Sequence, residues 1–153
     1  MTQRNTEEFQ PSSERMKWLT GQIMNIAITI HKALGPGLLE SVYEKCFCYE
    51  LTKRGISFIR QQVVDINYDN KKIDEGLKID ILIDDLIIIE LKAHEAIVEQ
   101  HEYQLINYLK ATSIEVGLLL NFGKKPEIKR KIYDNDKKAW ISAGITEAPS
   151  PST

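Results

Sequence analysis

Asp80-Ile81-Leu82-Ile83-Asp84-Asp85-Leu86-Ile87-Ile88-Ile89-Glu90-Leu91-Lys92 is an acid, a short apolar hairpin and then a charged pair closing a run of isoleucines. A strand alternates its side chains, so Glu90 and Lys92 project from one face and Leu91 from the other. Charged groups stay buried only when paired or bound to a metal, and Asp80 brings a second carboxylate within reach. Two carboxylates beside an ammonium can bind a divalent cation and position a water for attack on a phosphodiester. This chemistry demands a particular register. A two-residue turn at Asp84-Asp85 would set Asp80 opposite Ile89 and leave Glu90 on the other face. A three-residue loop from Asp84 to Leu86, or a bulge, places Asp80 across from Glu90 with Cβ atoms about 5 Å apart, and that register is the one predicted.

Working outward, Ser57 to Tyr68 reads as a strand ending in an Asp69-Asn70-Lys71 turn, and Leu77 to Ile83 and Leu86 to Leu91 as two more. The last two are nearly continuous in apolar residues, so both of their faces should be covered. Before them, Met16, Leu19, Ile23, Ile26, Ala27, Ile30 and Leu34 recur at intervals of three and four, which predicts a helix capped by Ser13 and ended by Gly35-Pro36-Gly37. A second helix is predicted from Leu38 to Arg54, with Gly55 as its stop. After the hairpin come a helix over Val98 to Ala111, a buried strand over Val116 to Phe122 and an edge strand over Ile128 to Tyr133. The order helix-helix-β-β-β-helix-β-β predicts an α/β domain, a mixed β-sheet flanked by helices.

The 153 residues suit one domain, placed at 14–145, with polar tails at 1–13 and 146–153 expected to be disordered and to carry no chemistry. No apolar run approaches the roughly 18 residues that span a bilayer, and the polar N-terminus lacks the apolar core of a signal peptide, so a cytoplasmic location is expected. Cys46 and Cys48, two apart on a helix, face different directions and read as packing residues rather than a disulfide or a zinc site. The net charge of −2 argues against bulk coating of nucleic acid. Yet residues 121–138 hold seven Lys or Arg against three acids, and Lys124, Lys125, Lys129, Arg130 and Lys131 form a strip that could grip a phosphate backbone. A solvated lysine-rich surface is the plainer reading of the same residues.

Asp80 followed by Glu90-Leu91-Lys92 at the end of a hydrophobic strand resembles the PD-(D/E)XK nuclease superfamily. Within it, Gly37-Leu38-Leu39-Glu40-Ser41-Val42-Tyr43 matches the motif that names the GxxExxY protein family. The likeness continues through Gln62, Gly76, Gln104, Tyr108-Leu109-Lys110 and Gly117-Leu118-Leu119-Leu120-Asn121-Phe122, covering about residues 20–134. The resemblance implies a restriction-endonuclease-like fold and a metal-dependent nuclease acting on nucleic acid, DNA first. Asp80, Glu90 and the carbonyl of Leu91 would hold Mg2+ or Mn2+, and Lys92 would orient the attacking water or stabilise charge developing on the phosphate. Glu40 stands where some nuclease branches carry a helical acid that ligates metal or orients water; an acid in the first turn of a helix is also favoured by the helix dipole. Gln104 and Tyr108, four apart on one helical face, resemble the pair that lines the substrate phosphate in RecB-like and lambda-exonuclease-like nucleases. A buried tyrosine with a satisfied hydroxyl is the ordinary alternative.

His94 and His101 could act as acid or base but lack a partner at metal-ligand spacing, and His31 reads as a favourable charge near a helix C-terminus. Lys78 stands where the family often has arginine, which weakens the case for a phosphate clamp at that position. Many nucleases cut both strands as dimers, and a homodimer is compatible with this chain. The rival reading is a catalytically inactive nuclease-fold module that binds nucleic acid or a protein partner.

Overall fold

The computed structural model describes residues 11–136. Residues 1–10 and 137–153 lie outside the described residues, and with them most of the tails anticipated above. The chain runs α1 (Pro11–Leu34), α2 (Glu40–Lys53), β1 (Phe58–Tyr68), β2 (Lys71–Ile83), β3 (Ile87–Lys92), α3 (Glu99–Lys110), β4 (Val116–Phe122) and β5 (Pro126–Ile132). This is the order read from the sequence. Helix α1 begins at Pro11, ahead of the Ser13 cap. Strand β2 begins at Lys71, six residues before the apolar run starts, because the Asp69-Asn70 turn closes a long hairpin with β1. Both turn residues adopt left-handed φ (55° and 60°), a conformation that Asp and Asn tolerate better than most residues.

The five strands lie in sequence order, with β1, β2 and β3 antiparallel, β3 and β4 parallel, and β4 and β5 antiparallel. The parallel step requires a crossover, which α3 provides. Strands β3 and β4 are central and buried on both faces. On one face, α1 and α2 cover Ile81, Ile83, Ile87, Ile89, Leu91 and the alternate residues of β4. On the other, α3 packs Leu105, Tyr108 and Leu109 against Ile88 and Leu119. The close seat of α3 depends on Gly117, where a Cβ would lie 2.6 Å from Leu105 Cδ1. With no side chain at 117, the helix can approach the sheet closely enough to bring its polar face to the end of β3.

Helix α2 is preceded by Gly35 and Gly37, both with positive φ, and Tyr43 pins that turn from inside the core. The Tyr43 hydroxyl donates to Gly35 O at 2.6 Å and accepts the Leu38 amide at 3.2 Å, while its ring stacks on Phe122 at 4.4 Å. His31 is held across the molecule: its Nε2 lies 2.7 Å from Gly123 O, which ties α1 to the β4–β5 turn. Its role is therefore a specific tertiary contact rather than only a charge at a helix end. Cys46 and Cys48 are free thiols packed at the edge of the core, and burial, helped by the neighbouring Glu44 charge, pushes the Cys48 thiol up to about 11.

Candidate metal and phosphate site

The hairpin adopts the three-residue loop. Ile83 pairs with Ile87, Leu82 with Ile88 and Ile81 with Ile89, and the Leu86 amide closes the turn on Ile83 O at 2.9 Å. Continuing that register brings Asp80 opposite Glu90. There the carboxylates take over from the backbone ladder: the Asp80 amide donates to Glu90 Oε1 at 3.2 Å, and the Leu91 amide donates to Asp80 Oδ2 at 2.9 Å. Asp80 Oδ1 and Glu90 Oε2 have no hydrogen-bond partner among the described residues.

Glu90 is 3% exposed and Asp80 is half-buried. Burial first, and then the Asp80 charge, pushes the Glu90 carboxyl up to about 8. Burial pushes Asp80 up to about 6, with the Glu44 and Glu40 charges adding to it and the Leu91 hydrogen bond and Lys92 opposing it. The ammonium of Lys92 does not offset the excess negative charge. A hard divalent cation would, and the donor set fits one: two carboxylates with uncommitted oxygens and the adjacent main-chain carbonyl of Leu91. Among the described residues no three His, Cys, Asp or Glu side chains form a metal-ligating group.

Helix α3 delivers the polar partners of Lys92. Lys92 Nζ donates to Gln104 Oε1 at 3.0 Å, and Gln104 Nε2 donates to the Tyr108 hydroxyl at 3.4 Å. Tyr108 is pushed up to about 12 by burial and then by the Glu90 and Asp80 charges. Lys92 and Gln104 line one wall of an open cleft of about 420 Å³ together with His101. A second cleft, of about 480 Å³, lies between Gly37, His94 and Lys124.

Glu40 opens α2 and is exposed, 3.5 Å from His94 Nε2, whose ring lies 4.7 Å from that of His101. The His101 imidazole is held below its usual range by desolvation and by the Lys92 and His94 charges. Asn121, buried in β4, fixes the chain leaving β3: its side chain accepts the His94 amide at 2.9 Å and donates to His94 O at 3.0 Å.

The structure therefore brings Asp80, Glu90, Lys92, Gln104 and Tyr108 together, with Glu40 at the rim. It divides the basic strip. Lys129 and Lys131 turn toward α3 and clasp Glu102 at 3.1 Å and 2.5 Å, whereas Arg130 belongs to the opposite parity of β5. Lys124 and Lys125 stand exposed in the β4–β5 turn. One continuous basic face is replaced by a basic turn and an internally paired strand, because alternation sends neighbouring residues to opposite faces.

Two residues beside the site were not singled out from the sequence. Glu44, one turn after Glu40, is 6% exposed and forms an ion pair with Arg60, and it accepts Gln61 Nε2 at 2.9 and 3.0 Å. Its signal was an acid between Tyr43 and Phe47 on the apolar stripe of α2. Gln61 carries φ of 56° within a strand, and no residue pattern announces that.

A family model for the PD-(D/E)XK nuclease superfamily matches residues 17–131. Among curated proteins, none matches the chain. Of solved structures, the crystal structure of SSO0001 superposes with a TM-score of 0.51 at 18% identity, covering 69% of this chain and 56% of that one. An alkaline exonuclease, LHK-Exo, from Laribacter hongkongensis gives a TM-score of 0.43 at 13% identity, covering 65% of this chain and 58% of the exonuclease. The chain thus spans less than two thirds of the length of either structure. The first likeness bears on the fold alone, and it agrees with a restriction-endonuclease-like mixed sheet. With its family match extending over well more than half of its length, this chain belongs to the PD-(D/E)XK nuclease superfamily.

Proposed function

We propose that this chain is a Mg2+- or Mn2+-dependent nuclease of the GxxExxY branch that hydrolyses DNA phosphodiester bonds. The observation that carries the reading is the meeting of Asp80 and Glu90 where the β2–β3 ladder gives way to carboxylate contacts, with Lys92 on the same parity as Glu90. Asp80, Glu90 and the Leu91 carbonyl would hold the cation. When bound, it supplies Lewis-acid polarisation of the phosphate and acidifies the attacking water. Lys92 offers an ammonium to the charge developing on the phosphate, and Gln104 holds that ammonium in place through its amide oxygen. Tyr108 steadies Gln104, and Glu40, exposed and 3.5 Å from His94 Nε2, would orient water or extend the cation's ligand set. Lys124, Lys125, Lys129, Arg130 and Lys131 are assigned to the nucleic-acid backbone, with Lys124 and Lys125 the more available. The substrate is taken as DNA, the location as cytoplasmic and a homodimer as the assembly to test.

Lys92→Ala decides between this reading and a binding module. Cleavage should fall by at least about a hundredfold while the thermal midpoint stays within a few degrees. Full cleavage by a folded Lys92→Ala protein ends the proposal, and DNA binding by the wild type without cleavage at any Mg2+ or Mn2+ concentration assigns the chain to the inactive class. Single-stranded DNA, duplex DNA and RNA compared at one ionic strength identify the substrate.

A further inference from the structure

Strands β1 and β2 turn over together beside the site. Ile81 and Ile83 belong to the core under α1 and α2, yet Ile79, two residues before Ile81, belongs to the core under α3. Strand β1 does the same: Phe58 packs in the first core and Val64 in the second, although both are even-numbered and should share a face. The inversion is localised. Arg60 pairs with Ile81 and Gln62 with Ile79, so Gln61 and Asp80 face one another at the point where both strands change sides. Gln61 carries the irregularity in its φ of 56°, a left-handed conformation that non-glycine residues seldom adopt. Residues held in this sparsely populated backbone region persist only where their surroundings fix them, and they cluster at functional sites.

What holds Gln61 there is Glu44. Its buried carboxylate receives the Gln61 side-chain amide on both oxygens and pairs with Arg60, so two successive residues of β1 are fastened to α2. Gln61 is itself exposed, and no burial of its own fixes it. We propose that Glu44 is a positioning residue that, by bracing Gln61 in its left-handed conformation opposite Asp80, aims the Asp80 carboxylate at Leu91 and Glu90. The proposal rests on the nuclease reading for its consequence, cation binding, but its geometric content is independent of that reading.

The Leu91 amide supplies the independent readout, because its acceptor is Asp80 Oδ2. In Glu44→Ala the hydrogen exchange of Leu91 should accelerate by about tenfold or more while the Leu118 and Leu120 amides keep their protection. The midpoint for Mn2+ binding should weaken by a similar factor. In a Gln61→Gly background both losses should shrink to about threefold or less, since glycine takes a positive φ without a brace. Gln61→Val tests the same link at an exposed position should Glu44→Ala fail to fold: a β-branched residue resists positive φ, so Leu91 should lose protection. Unchanged Leu91 exchange in a folded Glu44→Ala or Gln61→Val protein overturns the proposal, as does an equal loss in both backgrounds. Should the wild type bind no Mn2+, the nuclease reading fails, and the Leu91 exchange still decides whether Glu44 aims Asp80.

Discussion

The backbone amide of Asp80 donates to Glu90 Oε1 at 3.2 Å, so the two acids of the site are joined by a hydrogen bond across two strands against the repulsion of their like charges. The bond favours the ionised form of Glu90, while burial and Asp80 oppose it more strongly. The pair is held in place and left short of positive charge.

Stability should therefore depend on pH in an unusual direction for acids. Both carboxyls ionise in the ordinary carboxylate range when the chain is unfolded but near 6 and 8 when folded, so between about pH 4 and pH 8 the cation-free folded state binds more protons. The stability of the cation-free protein should fall as pH rises through that window, and the combined Asp80→Asn, Glu90→Gln variant should lose this slope. Thermal melts from pH 4 to pH 9 measure it; a wild-type slope in the double variant contradicts the assignment. Because a cation needs both groups ionised, added Mn2+ should raise the melting temperature more at pH 8 than at pH 5.

Gln104→Leu should reduce turnover more than it reduces stability. The substitution keeps volume on α3 but removes the oxygen that holds Lys92 Nζ, so the ammonium loses its orientation. A loss of about tenfold in kcat with a small change in KM is expected, and Tyr108→Phe, which removes one long contact of 3.4 Å, should cost less in kcat and about 1 kcal/mol or less in stability. Steady-state kinetics beside denaturant melts separate the effects.

Gly117→Ala should move the helix rather than the strand. A methyl group 2.6 Å from Leu105 Cδ1 and 3.0 Å from its Cγ forces the fully buried Leu105 side chain, and the α3 turn that carries it, to shift, and overpacking of this kind costs about 1–3 kcal/mol. Because α3 carries Gln104 and Tyr108, activity should fall along with stability. Urea denaturation and cleavage assays on the same preparation test the coupling, which an active, destabilised protein would disprove.

Among the basic residues, the β4–β5 turn should matter most for nucleic-acid binding. Replacing Lys124 and Lys125 with Ala should reduce the slope of log affinity against log salt by about two, whereas Lys129→Ala should change it less because that ammonium already pairs with Glu102 at 3.1 Å. Binding titrations over a range of salt would show the reverse order if the strand, not the turn, met the phosphates.

Most of the site's cast was legible because each member announces itself within a few residues. Asp80 and Glu90 could be set opposite one another by counting through the Asp84-Asp85-Leu86 loop, and Gln104 and Tyr108 could be placed on one face by their spacing of four. The start of β2 at Lys71 was missed because residues 71–76 lack the apolar alternation that marked the rest of the strand. The basic strip was read as one surface because adjacency in sequence hides the division that strand alternation imposes.

Local periodicity and turn length thus determined the order of elements, the hairpin register and the identity of the paired acids, since these depend on interactions between near neighbours in the chain. Only the tertiary structure decided how the site is held: Lys92 against Gln104, Gly117 under Leu105, and Glu44 against Gln61 opposite Asp80. Those contacts join residues 12 or more apart in sequence, and a side chain's partner at that distance is chosen by the packing of whole helices on the sheet, which no local pattern encodes.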